Sequence, residues 1–70
     1  MIINGPAFKQ VREDLLMTKF TLAKASGVSP NVIYGIELSR RTSPKLLMKV
    51  LDALNLTPEQ AYVKKMIEHN

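Results

Sequence analysis

Two sets of side chains in this sequence can act on a partner, and both are suited to contact rather than to making or breaking bonds. Basic side chains, among them Lys19, Arg40, Arg41 and Lys45, carry charges that can meet an anion such as phosphate. Asn31, Val32 and Tyr34, with Pro30 and Gly35 beside them, form the second set. Asparagine offers a donor and an acceptor side by side, valine offers methyls, and tyrosine a hydroxyl on an aromatic ring. Groups for covalent chemistry are sparse. There is no cysteine, and the single histidine, His69, stands at a penultimate position where chain ends fray and a general base is poorly held. Glu13 and Asp14 are adjacent and point in different directions on a helix, so they do not make a carboxylate pair. A phosphate-cradling glycine loop and a cluster of metal ligands are both absent from the sequence. The expectation is therefore no catalytic residue, no metal, no cofactor and no small-molecule substrate.

The elements that must position these groups can be read from punctuation. Ser29-Pro30, Ser43-Pro44 and Thr57-Pro58 each join a capping hydroxyl to a proline suited to the first helical position, and Gly5-Pro6 resembles them. Capping accounts for these Ser-Pro and Thr-Pro pairs without invoking modification. Thr57-Pro58-Glu59-Gln60 also fits a capping box. Five helices are expected, at about 6–16, 19–26, 30–37, 44–54 and 58–68, with no strand and no linker. The first presents Phe8, Val11, Leu15 and Leu16 to a core, and the fourth presents Leu47, Val50, Leu51 and Leu54. Tyr62, Val63, Met66 and Ile67 form i, i+4 pairs on the fifth, a stripe that either closes the core of one copy or leaves surface for a homodimer.

Residues 18–37 are the most constrained. Gly27 ends one helix in a left-handed conformation that is cheap only without a β-carbon. Val28 turns inward, Ser29 caps the next helix and Pro30 starts it. Leu22 with Ala23, and Ile33 with Ile36, supply the inward faces, and Ala23 is small where two helix backbones cross. This is a helix-turn-helix.

Composition agrees with a single domain over 1–70, since the chain has 70 residues of which 46% are hydrophobic. It lacks an apolar run of the roughly 18 residues that span a bilayer, and its N-terminus lacks a signal-peptide layout, so no membrane role and a cytoplasmic location are expected. Ten basic against six acidic residues give a net charge of +4, which favours a polyanionic partner.

On Leu22-Ala23, Gly27-Val28-Ser29, Ile33, Ile36-Glu37 and the run from Leu46 to Leu56, the sequence resembles the lambda-repressor/Cro-like, XRE-type helix-turn-helix regulators of phages and bacteria. The resemblance spans roughly residues 6–68. It implies an all-α, compact five-helix fold in a bacterial cytoplasm and double-stranded DNA as ligand, with the third helix in the major groove. It implies a structural pair between Arg12, late in the first helix, and Glu37, at the end of the third. Where relatives commonly hold a phosphate with glutamine, this chain has Lys19, and Arg40, Arg41 and Lys45 continue that line. The base-reading positions fall on Pro30, Asn31, Val32, Tyr34 and Gly35. Asn31 can contact adenine, Val32 a thymine methyl and Tyr34 a phosphate or base edge, whereas Pro30 and Gly35 donate nothing from a side chain. With so sparse a code, either DNA shape and dimer spacing supply specificity or this face takes another ligand. Pro30, Val32 and Tyr34 also suit a protein contact, and an antirepressor or modulator that binds a cognate repressor is the alternative reading.

Overall fold

A computed structural model of the chain describes residues 2–68. The order of elements is β1 (Ile2–Ile3), α1 (Gly5–Asp14), α2 (Lys19–Ser26), α3 (Pro30–Glu37), α4 (Pro44–Ala53), α5 (Pro58–Val63) and β2 (Ile67–Glu68). The five expected helices are present, and the fold is the lambda-repressor-like all-α type. His69 lies outside the described residues.

Side-chain caps open four of the helices. Asn4 Oδ1 accepts from the Ala7 N–H, Thr18 Oγ1 from that of Thr21, and Ser43 Oγ from that of Leu46. The capping box closes in both directions: Gln60 N–H donates to Thr57 Oγ1 at 3.2 Å and Thr57 N–H to Gln60 Oε1 at 2.8 Å. Two expectations need correction. The cap of α1 is Asn4, with Gly5 inside the helix, and Ser29 makes no side-chain cap bond. The Val32 N–H, which the Ser29 hydroxyl would take, donates at 3.0 Å to the Ser29 carbonyl instead.

All five helices stop in the same way. A residue with positive φ (Leu16 +58°, Gly27 +70°, Ser39 +60°, Asn55 +57°, Lys65 +60°) follows the helix. The next residue then donates its N–H five positions back: Met17 to Arg12, Val28 to Ala23, Arg40 to Gly35, Leu56 to Leu51 and Met66 to Ala61. These are Schellman closures. Only one uses glycine.

This device shortens the first and fifth helices relative to expectation. α1 ends at Asp14, and the left-handed turn at Leu16 swings the chain out, so Leu15 is 50% and Leu16 93% exposed instead of facing the core. α5 ends at Val63, and the turn at Lys65 sends the chain into β2, which pairs antiparallel with β1 as Ile2↔Glu68 and Ile3↔Ile67. No strand is expected here from the sequence. Met66 and Ile67 lie beyond the helix, yet both are buried in the core of the same copy, the first of the two roles open to their stripe, while Val63 is exposed.

The buried side chains form one cluster, drawn from every helix and both strands. Phe8, Leu22, Ile33, Ile36, Leu51, Met66 and Val50 are its largest fully buried members. α2 touches both α3 and α4, with Ala23 almost fully buried. α1 packs on α3, where Gly5 makes the closest approach. A β-carbon there would sit against the Glu37 carbonyl oxygen, 2.6 Å from its carbon and 2.8 Å from Ser39 N. The Gly5 N–H donates to Ser39 Oγ at 2.8 Å, which locks the two ends together.

Candidate nucleic-acid interface

The α2–α3 unit is rigid for reasons visible residue by residue. Gly27 at φ +70°, ψ 30° turns the chain without strain, and Val28 packs against the core beneath it. Ile33 and Ile36 are wholly buried, and that fixes the rotation of α3 about its axis. Pro30, Asn31 and Tyr34 are consequently exposed, and Val32 and Gly35 half-buried.

Glu37, at the end of the same helix, is held by Arg12. Arg12 Nε donates to Oε2 at 2.7 Å and Nη2 to Oε1 at 3.3 Å, while Nη1 donates to the Met17 carbonyl at 2.6 Å. The two side chains are only 8% and 5% exposed. One guanidinium therefore ties α1, the turn that leads into α2 and the end of α3 together.

The outward residues gather into two groups. A shallow cleft of about 260 Å³ is lined by Asn31, Val32, Gly35, Arg40, Arg41, Thr42, Ser43 and Leu46. It joins three base-contact candidates to two phosphate candidates. Arg40 arrives there because the closure of α3 returns its N–H to the Gly35 carbonyl. A β-carbon on Gly35 would meet only Arg40 Cδ, at 3.9 Å, so the arginine stem runs beside bare backbone. The second group is Lys19 and Tyr34: the lysine Nζ lies 5.2 Å from the centroid of the tyrosine ring. Lys45, exposed in the first turn of α4, stands outside both groups. Among the described residues Arg12–Glu37 is the salt bridge, so Lys19, Arg40, Arg41 and Lys45 are not neutralised by a carboxylate.

Several participants escaped sequence reasoning. Thr42 and Leu46 complete the cleft wall, and Gly5 and Ser39 brace the end of α3. An apolar surface at the α1–α2 turn, with Leu16 93% and Phe20 73% exposed, exceeds the exposure of Tyr34 at 48%. Among the described residues there is no group of three His, Cys, Asp or Glu side chains placed to hold a metal ion. No helix among them is long and apolar enough to cross a membrane.

Comparison with known proteins agrees with this architecture. The helix-turn-helix family profile matches residues 8–60. The structure is similar to that of the clp gene regulator ClgR from Corynebacterium glutamicum, with a TM-score of 0.75 at 33% identity, covering 86% of this chain and 78% of that one. It is also similar to the wild-type restriction-modification controller protein C.Esp1396I, with a TM-score of 0.74 at 26% identity, covering 94% of this chain and 90% of that one. A search of curated proteins gives no match. With its profile match spanning the turn, both framing helices and the core beneath them, the chain belongs to the XRE-type helix-turn-helix family of DNA-binding transcriptional regulators.

Proposed function

We propose that this protein is a transcriptional regulator of the Cro-like type, which binds operator DNA by laying α3 in the major groove. The observation that carries the reading is the cleft in which Asn31, Val32 and Gly35 share a wall with Arg40 and Arg41. Asn31 reads adenine through a paired donor and acceptor, Val32 meets a thymine methyl, and the bare backbone at Gly35 lets a base edge come close. Lys19, Arg40, Arg41 and Lys45 grip phosphates on either side. With one strong hydrogen-bonding reader, much of the specificity comes from DNA shape. ClgR and C.Esp1396I, a gene regulator and a controller protein by name, support a regulatory role.

The test is fluorescence titration of DNA from upstream of the protein's own gene over a salt series. Four phosphate contacts per subunit give a slope of log K against log salt of about −3.6. A flat dependence sinks the proposal. The second reading, control of transcription by binding a cognate repressor through Pro30, Val32 and Tyr34, draws support from the exposed Leu16 and Phe20 close by in sequence to Lys19. Binding to an adjacent repressor with no DNA binding of its own would select it.

A further inference from the structure

Lys19 and Tyr34 come from different helices. Lys19 is the first residue of α2 and Tyr34 the fifth of α3, yet the ammonium lies over the ring at 5.2 Å from its centroid. Within about 6 Å of a ring face a cation is held by the quadrupole. Among the described residues no carboxylate forms a salt bridge with this lysine, which is half-buried, and the tyrosine that receives it is 48% exposed. The tyrosine therefore offers its partner a face already occupied by a cation.

Building on the DNA-binding reading above, we infer that Tyr34 is a positioning residue for Lys19: its ring holds the ammonium at the start of α2, where it takes a backbone phosphate. This assigns the aromatic face, rather than the hydroxyl, as the part of Tyr34 that matters for binding. An ammonium has three donors, and one that rests on a ring still turns N–H groups away from it toward an anion. A lysine left to itself must give up the rotameric freedom of a long stem when it meets phosphate, whereas one parked on a ring has given up much of it beforehand. The pair also couples two functions. The phosphate grip belongs to α2 and the reading residues to α3, so a ring on α3 that holds the cation of α2 sets the register of one against the other.

The test uses the full chain and a fluorescein-labelled, mixed-sequence DNA duplex of about two helical turns. Lys19→Ala should weaken binding and make the salt slope shallower by about 0.9, the loss of one phosphate contact. Tyr34→Leu should weaken binding about two- to five-fold, the equivalent of a cation–π contact at an exposed site, and should add nothing once Lys19→Ala is present. Tyr34→Phe, which keeps the ring and removes the hydroxyl, should bind as the wild type does. In the free protein, the Lys19 ε-methylene proton resonances should show an upfield ring-current shift that survives in Tyr34→Phe and vanishes in Tyr34→Leu. Because that shift is read in the wild type and Tyr34→Phe as well, the inference stays testable if Tyr34→Leu folds poorly. Equal losses in Tyr34→Phe and Tyr34→Leu, multiplying losses for Lys19→Ala and Tyr34→Leu, or no ring-current shift would each overturn the inference while leaving DNA binding intact. Absence of salt-dependent binding by the wild type would overturn the DNA reading, and the inference with it.

Discussion

Removal of Arg12 is the most demanding test of how this scaffold is held. Replacement by Met keeps the aliphatic stem but removes both bonds to Glu37 and the bond to the Met17 carbonyl. The Glu37 side chain, 5% exposed, then has its charge in a site water barely reaches. Breaking one side of a buried pair costs about 3–5 kcal/mol. At about 0.05–0.15 kcal/mol per residue, a domain of 70 residues holds about 4–10 kcal/mol in total. With about 4–8 °C lost per kcal/mol in a domain of this size, Arg12→Met should melt at least about 12 °C below the wild type, and it is unfolded at room temperature if the starting stability is at the low end. Glu37→Leu alone strands the guanidinium in the same way. The double variant, Arg12→Met with Glu37→Leu, buries no charge and should recover most of the loss. What it does not recover is the Met17 carbonyl, whose lost partner costs about 1–3 kcal/mol. Urea and thermal unfolding followed by circular dichroism gives all four corners of the cycle. Single losses below about 1 kcal/mol would place the pair among solvent-screened surface bridges, and additive losses would show that the two residues do not act together. Either result refutes the reasoning.

Two further substitutions probe the backbone. Gly5→Ala puts a β-carbon 2.6 Å from the Glu37 carbonyl carbon and 2.8 Å from Ser39 N, where only backbone could yield, so a loss of about 1–3 kcal/mol is expected; a wild-type melting temperature would contradict the close approach. Leu16→Gly acts in the opposite direction. The leucine is 93% exposed and sits at φ +58°, so it buries almost nothing in a conformation costly for a residue with a β-carbon. Relief of that strain, less the larger unfolded-state entropy of glycine, should raise stability by about 0.5–1 kcal/mol, and an unchanged or lower melting temperature would show that the strain is not there.

How much of this was legible depends on the range over which each signal acts. Gly27, the Leu22-Ala23 and Ile33-Ile36 pairs and the caps at Ser43 and Thr57 work within a few residues, and they describe the observed elements closely. The Arg12–Glu37 pair joins positions 25 apart and was reached only through the family resemblance. The end of α5 misleads because Tyr62–Met66 and Val63–Ile67 have the i, i+4 spacing of a helix. The same spacing serves a chain that turns at Lys65 and drops Met66 and Ile67 into the core. Strands of two residues are too short to show alternation, and Ile2–Ile3 finds its partner only at the other end of the described chain. At the site, the identities of Asn31 and Tyr34 as outward residues followed from the burial of Ile33 and Ile36. Their associations did not. Arg40 reaches Gly35 through the closure of α3, and Lys19 reaches Tyr34 through the crossing of two helices, neither of which is written in local spacing.

The uniform way in which the helices end has a kinetic consequence. Each stop is set by a donor and an acceptor five residues apart, so each turn can form before any distant part of the chain has arrived. Most of the ordering cost is met locally, which places the protein with helical domains that fold in microseconds to milliseconds. The pairing of Ile2–Ile3 with Ile67–Glu68 is different in kind, since it closes a loop of nearly the whole described chain. Folding should then run as fast helix assembly with the two-stranded ribbon zipped late, and substitutions at Ile3 and Ile67 should speed unfolding far more than they slow folding.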